Sequence, residues 1–272
     1  MRFCISLALL WLLSPAAHAL EIIELATDDL PIQALLYRPQ GEGPFPAVVA
    51  LHGCGGLKTA SPNTVAAMDE WGRHLAAAGF VVLFPDSYAS RGLKRQCYSR
   101  APNIRPDRER LADIRAARDW LQQQDYIKKD RITLLGWANG GIAALWAVRP
   151  NLAPADERPD FRAAVALYPG CRRLGDTAWS TRVPTLILVG ALDDWAPARV
   201  CEAMVAGARG RSARATLIKY KGAHHYFDRD NLPVRQRRGV AFTPDGSGRA
   251  TVGTNTEARA DALKRVPDWL AR

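Results

Sequence analysis

The chain has 272 residues, 48% hydrophobic and 24% charged, a composition that suits one sizeable core better than two independent ones. Its 18 prolines are scattered along the sequence, which excludes a disordered or fibrous chain. The formal net charge of +10 is spread over separated clusters, Arg91-Gly-Leu-Lys94-Arg95, Arg172-Arg173 and Arg235-Gln-Arg237-Arg238; with no nucleic-acid motif beside them, they read as a solvated surface or an attraction to acidic substrates, not as DNA binding.

The first nineteen residues read as a signal peptide: Arg2 is a positive start, Ile5 to Leu13 an apolar run, and Ala17-His18-Ala19 a small-residue cleavage site. The run is far short of the ~20 residues that span a bilayer, and Cys4 precedes it, where no lipid would be attached. The expected product starts near Leu20, carries a charge of about +9 once Arg2 is lost, and is periplasmic or secreted, with no membrane attachment. Cys54, Cys97, Cys171 and Cys201 then remain. An even number in an oxidising compartment predicts two disulfides, with three pairings open, and none of the spacings is a metal pattern.

Glu21 to Thr27 and Ile32 to Tyr37 read as two strands joined by the turn Asp28-Asp29-Leu30-Pro31, an antiparallel start. From Pro46 the pattern becomes strand, loop, helix: Ala47 to Leu51, a glycine-rich loop, then an amphipathic stretch from Thr64 to Ala78. The unit recurs as Phe80 to Phe84 with Pro106 to Gln124, Ile132 to Leu135 with Asn139 to Val148, Ala163 to Leu167 with a loop, and Thr185 to Val189 with Pro197 to Ala206. A last strand, Thr216 to Tyr220, precedes a final helix, Glu257 to Leu270. Strands apolar on both faces belong in a mostly parallel sheet covered by helices on both sides, an α/β class. Residues 229–256, rich in Gly, Arg, Pro and Thr, lack periodicity and read as a mobile flap or insertion. No linker divides residues 20–272, so one domain is expected.

Between an apolar strand and a helix lies Gly136-Trp137-Ala138-Asn139-Gly140-Gly141. In a G-x-S-x-G elbow the central residue occupies a strained turn at the end of a strand, and the flanking glycines leave room for it. Here Ala138 stands where a serine or cysteine nucleophile would. Further along, Asp193-Asp194-Trp195 follows one strand and His224-His225-Tyr226-Phe227-Asp228 another. The order nucleophile, acid, histidine is that of an elbow-type acyl-transfer site, in which imidazole carries the proton and carboxylate fixes its tautomer. Backbone N–H groups for a developing oxyanion are expected from Cys54, in His52-Gly53-Cys54-Gly55-Gly56, and from Asn139. Trp137 and Trp195 flank the elbow and the acid as candidate walls of an acyl pocket.

Taken together, His52-Gly-Cys-Gly-Gly-Leu57, Pro85-Asp-Ser87 with Arg91-Gly92 and Cys97, Gly136-Trp-Ala-Asn-Gly140, Tyr168-Pro-Gly-Cys171, Asp193-Asp-Trp195 and His225-Tyr-Phe227 resemble the exported branch of the dienelactone hydrolase family. The resemblance implies an α/β-hydrolase fold, no metal and no organic cofactor, and action on small esters or lactones. It places the acid on Asp193, spaced Gly-x-x-Asp from Gly190, rather than on Asp194, and the histidine on His225 rather than on His224. Arg229, four after that histidine, and Arg91 match carboxylate-binding arginines of the founding enzymes, so both are candidates to hold an acidic substrate. Those enzymes pair cysteine with an assisting glutamate near the oxyanion loop; this loop has no carboxylate, which tells against dienelactone itself as substrate.

A methyl group can neither attack a carbonyl nor be activated, so Ala138 closes the acyl-enzyme route in this chain. Two origins stay open: a deliberate exchange that traps substrate, or a natural loss in a protein kept for binding. The corresponding alternative function is a non-catalytic exported ligand-binding protein on the same fold.

Overall fold

The structure is a computed structural model that describes residues 20–57, 62–210 and 212–272. The signal-peptide reading falls on residues 1–19 and lies outside them. In chain order the elements are β1 (Leu20–Leu25), β2 (Ile32–Tyr37), β3 (Phe45–Leu51), α1 (Pro62–Ala77), β4 (Val81–Pro85), α2 (Glu109–Gln122), β5 (Ile127–Trp137) and α3 (Asn139–Ala147). They continue with β6 (Ala164–Leu167), α4 (Arg172–Asp176), β7 (Thr185–Gly190), α5 (Ala198–Gly207), β8 (Ala215–Tyr220), β9 (Arg235–Arg238), β10 (Arg249–Val252) and α6 (Thr256–Leu270).

Eight strands form one sheet in the order β1-β2-β4-β3-β5-β6-β7-β8. β1 pairs with β2, and β2 with β4, antiparallel; from β4 through β8 every pairing is parallel. The central strands are apolar throughout because successive side chains enter different cores. On one face Val49, Leu51, Leu134, Ala166 and Ile187 pack with Ile114 and Leu121 of α2, with α3, and with Met204 of α5. On the other face Val48, Ala50, Leu135, Leu167 and Leu188 pack with Met68, Trp71 and Leu75 of α1 and with Ala262, Val266 and Trp269 of α6. Asn255 caps α6, its side-chain oxygen accepting from the Ala258 N–H at 2.9 Å.

Residues 229–256 differ from the aperiodic reading. They carry an antiparallel hairpin, β9 with β10, in the register Arg235 to Val252 through Arg238 to Arg249. Four-residue strands with arginine at three of the β9 positions offer no apolar alternation to read. The five-residue α4 escaped notice for the same reason of length.

Two disulfides close, Cys54 with Cys97 and Cys171 with Cys201. The second joins the start of α4 to α5 and closes a span of 30 residues. Replacing both Cys171 and Cys201 by Ala should cost about 3–4 kcal/mol by the loop-entropy relation, read as a lower midpoint in urea at unchanged slope.

Candidate active site

The carboxyl ends of the parallel strands deliver every segment singled out above to one edge of the sheet. β5 ends at Trp137 and α3 begins at Asn139, so Ala138 alone makes the turn. It does so at φ 48°, ψ −112°, a backbone conformation that costs a residue with a Cβ of order 1–3 kcal/mol. The turn is pinned by Ala138 N–H donating to Leu167 O at 3.0 Å and by Ile142 N–H donating to Ala138 O at 2.9 Å. Glycine is required on both sides. A Cβ on Gly136 would be driven into the Gly140 carbonyl, and one on Gly140 into the Leu51 carbonyl.

Asp193 and His225, from the loops after β7 and β8, meet in a hydrogen bond of 2.7 Å between Nδ1 and Oδ2. Both are buried, at 4% and 3% exposure. The other carboxylate oxygen accepts from the backbone N–H groups of Trp195 at 3.0 Å and Ala196 at 2.8 Å, so three donors fix Asp193. With its proton on Nδ1, the ring keeps a lone pair on Nε2, and Nε2 has no hydrogen-bond partner among the described residues. The rings of Tyr168, Tyr226 and Trp195 pack about the imidazole at 4.5, 4.6 and 4.9 Å between centroids. Ala138 and His225 border one cavity of about 120 Å³, together with Cys54, Asn139, Tyr168 and Trp195. Position 138 and the histidine held by Asp193 thus border one small space, and Cys54 and Asn139 border it too.

Two buried polar groups hold this arrangement from behind. Asp228, 1% exposed, accepts from Tyr168 Oη at 2.7 Å and from the indole N–H groups of Trp71 and Trp137, each at 2.9 Å. Burial first, and the Asp228 charge next, push the Tyr168 phenol well above its ordinary range, so it stays protonated and donates. Arg110, fully buried on α2, donates through Nη1 to His52 O at 2.7 Å and to Asn139 Oδ1 at 2.8 Å. One guanidinium therefore links the loop after β3 to the residue after the elbow. His52 braces the same loop, donating from Nδ1 to Gly53 O at 2.8 Å and accepting at Nε2 from the Ser87 N–H at 3.2 Å. Burial, and then the Arg110 charge, hold its imidazole well below the usual histidine range.

Sequence reasoning missed Arg110 and the acceptor role of Asp228. The signal for Arg110 was there: it lies four, seven and eleven residues before Ile114, Ala117 and Leu121, all buried, on the inward face of a helix.

Of the two tryptophans, Trp195 borders the cavity, with its indole donating to Ala241 O at 2.9 Å. Trp137 does not. It is 1% exposed, bonded to Asp228, and stacked on Phe84 at 6.1 Å; its indole packs with Trp71 and Phe84 in the core. Arg91 is likewise removed from the pocket, its guanidinium bound to Asp29 at 2.9 Å and to Asp113 at 2.8 Å. Arg229 is buried with its guanidinium 3.9 Å over the Tyr226 ring, and it does not border the cavity. Asp194 is exposed and anchors β10, accepting from Thr251 N–H at 2.7 Å. His224 points its Nδ1 at Leu192 O, 3.0 Å away, and stays out of the cavity.

Residues 229–256 are bonded into the site: Gly253 N–H donates to His225 O at 3.0 Å and Ala241 N–H to Cys97 O at 2.8 Å. Among the described residues no His, Cys, Asp and Glu cluster is arranged to hold a metal.

The Dienelactone hydrolase family matches residues 32–272. A Bradyrhizobium protein described as "Probable 2-oxo-3-(5-oxofuran-2-ylidene)propanoate lactonase" is 27% identical over 225 residues, 77% of this chain and 84% of that one. Among solved structures, a "Putative Dienelactone Hydrolase" of Klebsiella pneumoniae subsp. pneumoniae superposes with a TM-score of 0.71 at 21% identity, over 94% of this chain and 99% of that one. Esterase 2 of Thermogutta terrifontis, phosphorylated by paraoxon, gives 0.66 at 21% identity over 93% of each chain. The fold is that of the α/β-hydrolases.

Asp228→Asn leaves one carbonyl for three donors and turns an N–H₂ toward an indole or phenol. It should destabilise the chain by about 2–4 kcal/mol, read from urea unfolding monitored by tryptophan fluorescence; a loss under about 0.5 kcal/mol would show that the carboxylate is not the anchor of this network.

Proposed function

Since this chain belongs to the dienelactone hydrolase family, we propose that it is a carboxylic-ester or lactone hydrolase scaffold with Asp193 and His225 as its acid–base pair, position 138 as the seat of the nucleophile, and the N–H groups of Cys54 and Asn139 as oxyanion donors. One observation carries the reading: a histidine held by a buried aspartate at 2.7 Å, its Nε2 unpartnered among the described residues, borders the same cavity as a residue bent to φ 48° at the end of a strand. Such a backbone is the one an elbow uses to expose its central side chain.

With a hydroxyl on residue 138, each group has a task. His225 Nε2 takes the hydroxyl proton as oxygen attacks the carbonyl carbon. Asp193 stabilises the imidazolium that forms, and the two N–H groups hold the oxyanion of the tetrahedral intermediate. The imidazolium then returns its proton to the departing alcohol, and water repeats the sequence to release the acid. Arg110 keeps the two donor segments in register. No cofactor enters this route. In the chain as it stands the methyl of Ala138 replaces the attacking atom, and only the weak assistance of donors and bound water remains.

The alanine itself favours a second reading, an exported protein that binds an ester or carboxylate ligand on this fold without turning it over. Export, to the periplasm or beyond the cell, is supported by the pairing of all four cysteines from residue 20 onward and by the leader-like residues 1–19.

Ala138→Ser decides between the readings. It should raise kcat on p-nitrophenyl acetate and butyrate by at least about 10³-fold over the parent chain, and His225→Ala in that background should remove the gain. Equal turnover by parent and variant would mean that position 138 is not the seat of the nucleophile; saturable ligand binding with no gain in turnover would establish the binding protein.

A further inference from the structure

The cavity shared by Ala138 and His225 holds about 120 Å³ and has room for a small group only. Past Asn139, Ile142, Trp195 and Phe242 it opens into a second cleft of about 1050 Å³. Clefts that enclose drug-sized ligands span about 300–1,000 Å³, so a compact lactone would leave most of this one filled with water. Its walls are apolar, with Ile142, Trp146, Pro197 and Val200.

Two features give the cleft a chemical preference. Its rim bears Arg100, Arg105, Arg172 and Arg173 against Asp107 and Asp176. Asp107 is shared by Arg105 at 2.9 Å and Arg173 at 2.8 Å, whereas Arg100 and Arg172, both exposed, have no ion-pair partner among the described residues. The other feature is Phe242, 66% exposed at φ +61° on the lip. Its neighbour Ala241 is tied on both sides, N–H to Cys97 O at 2.8 Å and carbonyl to the Trp195 indole at 2.9 Å. An aromatic ring kept in water on a strained backbone is held there by its surroundings, and here the surroundings aim it at an apolar trough.

We propose that this cleft receives the larger moiety of the substrate, a rigid apolar body such as a fused aromatic ring, carrying an anionic group at the end remote from the ester. Arg100 and Arg172 take the anion, and Phe242 lies on the ring. The assignment rests on the ester-hydrolase reading and extends it from the reacting atoms to the rest of the molecule.

On that reading the chain with Ala138 turns an ester over only slowly, so binding can be read ahead of turnover. The probes are monomethyl 2,6-naphthalenedicarboxylate, an ester on a flat apolar body with a remote carboxylate, and its neutral dimethyl counterpart, titrated by calorimetry at low salt. The monoester should bind about tenfold more tightly, the size expected of two exposed cation contacts, and Arg100→Gln with Arg172→Gln should erase the difference. Phe242→Gly should weaken both probes about tenfold alike while leaving the thermal midpoint unchanged or higher, because glycine accepts positive φ. Equal affinities, a preference that survives the double variant, or no binding of either probe below about 1 mM would overturn the assignment. Its failure is separable from that of the hydrolase reading: Ala138→Ser that cleaves p-nitrophenyl acetate beside a charge-blind cleft sinks the cleft proposal alone, and charge-selective binding beside an inert Ala138→Ser sinks the hydrolase reading alone.

Discussion

Among the described glycines, Gly140 has the least room for a side chain: α3 starts against the Leu51 carbonyl at the end of β3 with only a glycine hydrogen between. Everything at the site follows from that contact. Because α3 comes so near, the chain must reverse within one residue, and Ala138 takes up the whole bend. Because the bend is so tight, Asn139 lands beside the loop after β3, and a single buried guanidinium can reach both.

Around this point the backbone departs from ordinary conformations more than once. Tyr168 at φ 39° and Tyr226 at φ 65° join Ala138 at φ 48°. Each such residue costs of order 1–3 kcal/mol and persists only where neighbours over-determine it. Here the neighbours are two buried carboxylates. Asp193 collects His225 and two backbone N–H groups, and Asp228 collects one phenol and two indoles from α1, β5 and the loop after β6. Neither acid could be removed without leaving several buried donors unpaired. The first holds the histidine that borders the cavity, and the second holds the rings packed behind it.

Much of this was legible in the sequence because it is written in local patterns. Continuous apolar runs located β3, β4, β6 and β7, and the Gly136 and Gly140 spacing located the elbow. β5 was read as too short: its first part, Lys128-Lys129-Asp130-Arg131, is polar and largely exposed, and only the apolar end announces a strand. What sequence could not convey was direction. Trp137 is adjacent to Ala138 in the chain but sends its indole back to Asp228 and Phe84 instead of into the cavity. Arg91 meets Asp29 and Asp113, residues distant in sequence, whose partnership no spacing foretells. Arg229 follows the histidine closely yet turns back over Tyr226. The hairpin of β9 and β10 is set by pairing and by its bonds to Asp194 and His225, not by an apolar rhythm of its own.

The bend at residue 138 also bears on how small a change would supply the proposed nucleophile. Every alanine codon becomes a serine codon by one base change, and the bend that a reactive side chain requires is still maintained by Gly136, Gly140 and the hydrogen bonds to Leu167 and Ile142. Whichever way the alanine arose, the frame that the proposed nucleophile would need is complete around it. In mutational terms a single nucleotide separates this alanine from the hydroxyl that the proposed triad calls for.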